Sequence, residues 1–251
     1  MSHIYDDRED FLRERHERLS RLPADHPAWV DARRFFDATV PLQYSYNFDW
    51  LGVPIIQYPQ DLVAIQEIIW RTKPDLIVET GVARGGSLIF YASMLRLLNN
   101  GGRVVGIDID IRPHNRDSIE QHPLGELITL IEGSSTELSV IAQVVEHAKT
   151  SQRTMVVLDS NHTKDHVARE LELYSPLVGR GSYLIVLDTV VEYMRPGDVV
   201  DRPWSKGNNP LNAVEEFLQK NNRFAIDHTI DNKLLISVGP RGYLECCKDP
   251  T

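Results

Sequence analysis

The chain is most constrained by four almost wholly apolar runs, "DLIVET", "RVVGIDID", "TMVVLD" and "SYLIVLD", each with a carboxylate at or near its end. Runs of this length without polar alternation read as strands buried on both faces, and such strands belong to parallel sheets covered by helices. Between them lie segments of helical length, from about Ser87 to Leu98, about 136 to 148 and about 164 to 178, with a short strand "ITLIEG" after the second run. The alternation predicts an α/β fold with a doubly wound, mostly parallel sheet. In such a sheet the carboxyl ends of the strands open on one ligand-binding edge. Asp159 and Asp188, which end successive strands, are expected to converge there.

The flanks divide the chain into an N-terminal arm and wrap, 1–60, and the α/β domain, 61–251. Residues 7 to 22 set Phe11, Leu12, Leu19 and Leu22 among dense charges, which suggests an amphipathic helix that docks on a neighbour or on another subunit. The stretch from Pro23 to Pro59 is rich in aromatics and turn residues, and reads as a pocket wall or a packed irregular wrap. "DLVAIQEIIWRT" has helical spacing with Asp61 placed to cap its start. After Asp188 the segment 189–210 shows little periodicity, and a connection this long usually covers something. Helix "LNAVEEFLQKN" is followed by two expected strands, "FAIDHTI" and "LLISVGPRGYLEC", with a glycine-bearing turn that predicts an antiparallel C-terminal sheet edge.

Composition removes several classes. A formal charge of −9 argues against a general binder of nucleic acid, which needs clustered Lys and Arg. No segment reaches about 18 uninterrupted apolar residues, so membrane insertion is not expected, and no signal-peptide core is present. The two cysteines, Cys246 and Cys247, are adjacent and form no disulfide framework, which makes a reducing, cytoplasmic setting the expectation.

"VETGVARGGS" lies between a buried-type strand and a helix, so Gly81, Gly85 and Gly86 can bring backbone close to a ligand at a helix N-terminus. No Gly-Lys-Ser/Thr follows, and the spacing fits the dinucleotide fingerprint poorly. Glu79 precedes the first glycine by two residues, and Asp108 ends the next strand, where a carboxylate can accept ribose hydroxyls. Carboxylates at both places suit a nucleoside without phosphates, such as S-adenosylmethionine. Its amino acid part would lie over the glycine turn near Glu79, and its adenine near Gly133, Ser134 or Ser135.

The run "LDSNHTKDH" holds Asp159, His162 and His166. Asp159 with Asp188 suits a hard divalent cation such as Mg²⁺. His162 and His166, four apart, share a helix face and with Asp159 would equally form a transition-metal site. The bland alternative is a helix start capped by Ser160, Asn161 or Thr163. A neutral imidazole beside a bound alcohol is a plausible proton acceptor, and His162 is the candidate.

Several long blocks in order resemble the cephalosporin hydroxylase or rhamnosyl O-methyltransferase family: "YSYNFDWLGVPIIQYPQDL", "KPDLIVETGVARGGSL", "VVGIDIDIRPHN", "LDSNHTKDHVARELELYSPLV", "GSYLIVLDT" and "RPWSKGNNPLNAVEEFL". The resemblance implies a Rossmann-like fold and an S-adenosylmethionine-dependent O-methyltransferase. It implies cofactor contacts at Glu79, Gly81, Gly85, Ser87 and Asp108, with Gly133, Ser134 and Asp159 on the same edge, and metal ligation at Asp159 and Asp188. Related enzymes often carry two adjacent acids at the second metal strand. Here Leu187 precedes Asp188, which leaves water, Thr189 or His162 as the third ligand. The implied acceptor is a small glycosylated natural product or glycolipid, with a rhamnose-type deoxysugar, under a lid formed by 189–210 and Trp204. Asp159 and His162 are the expected catalytic pair, Mg²⁺ or another divalent cation the expected metal, and a homo-oligomer the expected assembly. Two rival readings stand beside this one: an Fe(II) hydroxylase built on Asp159, His162 and His166, and a noncatalytic cofactor-binding subunit.

Overall fold

The computed structural model describes residues 6–195, 197, 198 and 201–249. Helices α1 (Arg8–Ser20) and α2 (Pro27–Thr39) precede a hairpin of β1 (Phe48–Trp50) and β2 (Val53–Ile55), and α3 (Pro59–Thr72) leads into the sheet. Next come β3 (Leu76–Thr80), α4 (Gly86–Leu98), β4 (Arg103–Asp108), α5 (Pro113–Glu120) and β5 (Ile128–Glu132). They are followed by α6 (Leu138–Ala148), β6 (Thr154–Leu158), α7 (Lys164–Tyr174) and β7 (Tyr183–Val186). The last elements are α8 (Pro210–Lys220), β8 (Phe224–Ile226), α9 (His228–Leu234) and β9 (Tyr243–Cys246).

The seven-stranded sheet has the order β5-β4-β3-β6-β7-β9-β8. Its first five members are parallel, and β9 runs antiparallel to both β7 and β8. Every residue of β3, β6 and β7 is buried, as their unbroken apolar runs require. Successive side chains serve opposite faces. Ile77, Val104, Val157 and Ile185 pack with α3 and α4, whereas Val78, Val105, Val156 and Leu184 pack with α6, α7 and α8. Each fully buried aliphatic side chain contributes roughly 1.5–3 kcal/mol, so these two layers hold the sheet edge above them in a fixed shape.

The strand order reverses between β3 and β6, and that is where the crevice opens. Gly81, just beyond β3, has φ +93°, and a Cβ there would lie 2.1 Å from the carbonyl oxygen of Asp159, just beyond β6. Only glycine lets these two strand ends come so close.

Local readings needed correction where tertiary partners intervene. Asp61 does not cap α3: Tyr58 occupies the cap position, and Asp61 is fully buried one turn in. Its carboxylate accepts from Ser237 Oγ at 2.6 Å, Tyr243 OH at 2.6 Å and the Val238 amide at 2.9 Å. The two terminal strands exist but are not joined by a simple turn. Asp227 accepts from the Thr229 amide and so starts α9 between them. Helix α7 ends at Tyr174, in a short 3-10 turn containing Pro176. The segment 189–210 begins with a 3-10 turn, Thr189–Tyr193, and carries a bridge between Ser205 and Asn208, while Pro196, Val199 and Val200 lie outside the described residues. Helix α1 has no buried residue and leaves Phe11 and Leu12 about half exposed. Among the described residues no helix is long and apolar enough to cross a membrane.

Candidate active site

A crevice of about 470 Å³ lies along the carboxyl edge of β3, β4 and β6. Gly81, Ala83, Asp108, Ser134 and Ser135 line it, together with Asp159, His162 and Asp188. A second cavity of about 410 Å³ adjoins it, sharing His162, Asp188 and Trp204 and walled by Tyr44, Tyr46 and Tyr58. A larger cavity of about 580 Å³ lies between α2 and α9. It contains none of the strand-end carboxylates, so its size does not make it the reactive site.

Asp108 organises the glycine turn. Its Oδ2 accepts from the amides of Val82 at 2.8 Å and Ala83 at 3.2 Å, and its Oδ1 accepts from Asp110 at 3.2 Å. A carboxylate has about four lone-pair sites, so Asp108 retains acceptor capacity toward the crevice. Glu79 lies beneath the turn, fully buried, accepting from Ser87 Oγ at 2.5 Å and Tyr91 OH at 2.9 Å. Burial pushes its pKa up to about 8, the two hydrogen bonds oppose the rise, and the charge of Asp108 adds to it. Glu79 is thus a support of the turn and is not among the crevice-lining residues. Gly85 caps α4 in a left-handed conformation, φ 88°. Ser134 and Ser135 line the crevice; Gly133 lies just outside it, its amide donating to the Asp108 carbonyl at 2.8 Å.

The second group centres on three side chains. One ligand-type atom from each of Asp159, His162 and Asp188 lies within 4.8 Å of the others. His162 Nε2 is 2.8 Å from Asp188 Oδ2. Asp188 adopts a left-handed conformation, φ 53°, at the start of the 3-10 turn after β7, which helps turn the chain back over the strand end. Burial, then the neighbouring charge of Asp188, drives the Asp159 carboxyl well above the ordinary range. Burial works to lower the His162 pKa, but the charge of Asp188 and its hydrogen bond prevail and raise it. Two oxygens and an imidazole nitrogen make a donor set that fits a divalent cation, and crowded half-buried carboxylates are what a cation would relieve. Thr189 does not join them: it is fully buried, and its hydroxyl donates to the Pro240 carbonyl at 2.6 Å.

His166 is held apart. Its Nε2 lies 3.0 Å from Ser135 Oγ and 3.2 Å from Ser160 Oγ, and Ser160 Oγ also donates to the buried Glu170 at 2.7 Å. A triad of Asp159, His162 and His166 is therefore not assembled. Trp204 packs edge-on against His162 with centroids 4.7 Å apart, which ties the segment after Asp188 to the cluster. Arg202, over the Trp204 ring at 5.3 Å, lines both cavities. Sequence reading missed Arg202 and also Gln57, whose Nε2 donates to Asp159 Oδ2 at 3.3 Å. The one signal for Gln57 was a polar residue directly after the apolar pair Ile55 and Ile56.

A doubly wound sheet with an antiparallel edge and a carboxylate-lined crevice at its switch point is the architecture of a Rossmann-like O-methyltransferase, and this enzyme is one. The family description Rhamnosyl O-methyltransferase/CmcI matches residues 42–247, and the chain belongs to that family. Rhamnosyl O-methyltransferase of Mycobacterium tuberculosis is 26% identical over 212 residues, covering 80% of this chain and 81% of that protein. The Mycobacterium leprae protein of the same name is 30% identical over 142 residues, covering 56% of this chain and 59% of its own. Among solved structures, CmcI with Mg and SAM aligns with a TM-score of 0.57 at 22% identity, over 90% of this chain and 87% of that one. An O-methyltransferase from Bacillus cereus in complex with SAH aligns with a TM-score of 0.51 at 15% identity, over 96% and 99%. These two structural likenesses concern the fold.

Proposed function

We propose that this enzyme transfers the sulfonium methyl group of S-adenosylmethionine to a hydroxyl of a small sugar-bearing acceptor, a rhamnose-type deoxysugar, with a divalent cation such as Mg²⁺ in attendance. The observation that carries the reading is the position of His162 and Asp188 on the border between two cavities, with Asp159 beside them in the first. The crevice with the glycine turn and Asp108 offers a nucleoside its place, and the cavity walled by Tyr44, Tyr46, Tyr58 and Trp204 offers an aromatic surface to a sugar. The names of the mycobacterial relatives and the SAM and Mg in the CmcI structure support donor, acceptor and cation alike.

In this reading Asp108 accepts from the ribose hydroxyls, Ser134 and Ser135 border the base, and the turn from Gly81 to Ser87 carries the amino acid end. Asp159 and Asp188 would hold the cation, which when bound would lower the pKa of an acceptor hydroxyl and fix its direction. His162 receives the hydroxyl proton and Asp188 holds the imidazole through the 2.8 Å contact. The hydroxyl oxygen forms a bond to the methyl carbon as the sulfur–carbon bond breaks, leaving S-adenosylhomocysteine and a methyl ether. The sulfonium is already electrophilic, so the protein contributes mainly alignment of oxygen, carbon and sulfur and exclusion of water.

The test is calorimetric titration with S-adenosylmethionine, with and without Mg²⁺, followed by labelled-methyl transfer to rhamnosylated compounds. No heat with the sulfonium donor refutes the reading. Donor binding and transfer that ignore Mg²⁺ remove the cation alone, and so does full activity in both Asp159→Ala and Asp188→Ala.

A further inference from the structure

Gln57 closes the chain segment after β2 and is 3% exposed. It lines the crevice and also a narrow annex of about 40 Å³, bounded on one side by Pro54 to Gln57 and on the other by the turn from Gly81 to Ser87. The two ends of its amide are in different circumstances. Nε2 donates to Asp159 Oδ2 at 3.3 Å, whereas Oε1 is buried with no hydrogen-bond partner among the described residues. The amide thus presents its amino end to the Asp159 carboxyl and leaves its carbonyl end unpartnered. A buried carbonyl oxygen without a donor is costly.

That wall has the complementary character. Helix α4 starts at Gly85 with no side-chain cap, so its first amides retain unspent N–H groups and a partial positive charge. One side of the annex thus offers hydrogen-bond donors to an anion, and the other offers a lone pair to a cation. A carboxylate and an ammonium on one carbon, the α-amino acid end of a ligand, match both walls at once. The annex is too small for more than such an end group, and the adjoining crevice of about 470 Å³ takes the rest.

We infer that Gln57 is a cofactor-binding residue whose Oε1 accepts a hydrogen bond from the α-ammonium of the methyl donor while its Nε2 holds Asp159. This rests on the S-adenosylmethionine reading above. Through one amide the occupant of the annex is linked to Asp159, which itself lines both the annex and the crevice, so donor binding helps set the position of Asp159.

The experiment measures dissociation constants of S-adenosylhomocysteine and of its deaminated analogue, which keeps the nucleoside, thioether and carboxylate. Both are titrated into the unsubstituted enzyme and into Gln57→Leu. The unsubstituted enzyme is expected to prefer the aminated ligand by about 10-fold or more, and Gln57→Leu to bind the two alike. Unchanged affinity of the variant for the deaminated ligand shows that its crevice is intact. Equal loss of both ligands in the variant assigns Gln57 to packing and overturns the inference. Equal affinity of the unsubstituted enzyme for both ligands overturns it even if the variant does not fold. Failure of the unsubstituted enzyme to bind S-adenosylhomocysteine at all refutes the methyl-donor reading itself, a result separate from binding without an ammonium preference.

Discussion

Replacing Glu79 by glutamine changes how stability depends on pH, and the direction follows from its burial. In the folded protein its pKa is raised from 4.5 to about 8, chiefly because water is excluded from it. Between those values the native state binds a proton that the unfolded state has lost. The stability Glu79 contributes is therefore complete below the unfolded pKa and is lost as pH rises through the folded one. Each pH unit inside that window costs about 1.4 kcal/mol, so moving from about pH 5.5 to about pH 7.5 removes on the order of 2–3 kcal/mol. Glu79→Gln is nearly isosteric and stays neutral, and it retains a carbonyl oxygen for one of the two donors, Ser87 and Tyr91. Urea denaturation of parent and variant at matched pH isolates the term, since other titrating groups cancel in the difference. The variant is expected to gain on the parent by that amount across the window. A difference that stays constant with pH shows that Glu79 is ionised throughout, and refutes burial as the force governing it.

Asp61→Ala removes the acceptor shared by Ser237, Tyr243 and the Val238 amide, and should destabilise the fold by about 3 kcal/mol or more in thermal melts; a loss under about 1 kcal/mol would mean that these donors find other partners. Gly81→Ala places a Cβ 2.1 Å from the Asp159 carbonyl in a left-handed conformation, so S-adenosylmethionine binding should fall about 10-fold or more, and wild-type affinity in calorimetry would show that the turn does not set the crevice. Trp204→Ala removes the ring packed on His162 and is expected to cut methyl transfer while leaving donor affinity within about 2-fold; loss of donor affinity in the same measure would place Trp204 in the cofactor site. Helix α1 has no buried residue of its own, and deletion of residues 1–21 should lower the melting temperature by no more than a few degrees; a larger loss would show that its contact with α9, where Asn232 donates to the Leu19 carbonyl, supports the fold.

Strand-end positions were legible because they follow from local periodicity. The apolar runs around Val78, Val105, Val156 and Leu184 could be accommodated only in a sheet covered on both faces, and the carboxylates at their ends went with them. Asp61 misled because a carboxylate near a helix start has the same local pattern whether it caps that helix or reaches 176 residues along the chain to Ser237. The C-terminal turn misled for a similar reason: apolar spacing in "HTIDNKLL" did not reveal the Asp227 cap that starts α9. Glu79 and Asp108 share a place in the sequence pattern of a nucleoside site, yet one lies beneath the turn and the other along the crevice.

Fold class, parallel strands and the edge that carries the crevice follow from hydrophobic period and strand length, which act over a few residues. Tertiary structure alone decided which polar groups meet. It selected His162 over His166 by seating one beside Asp188 and the other between Ser135 and Ser160. It also carried Gln57 to Asp159 across 102 residues of chain. The physical reason is the strand order, which sets β6 beside β3 and draws the N-terminal wrap over the glycine turn, a placement fixed by packing of whole layers and by no spacing within any one segment.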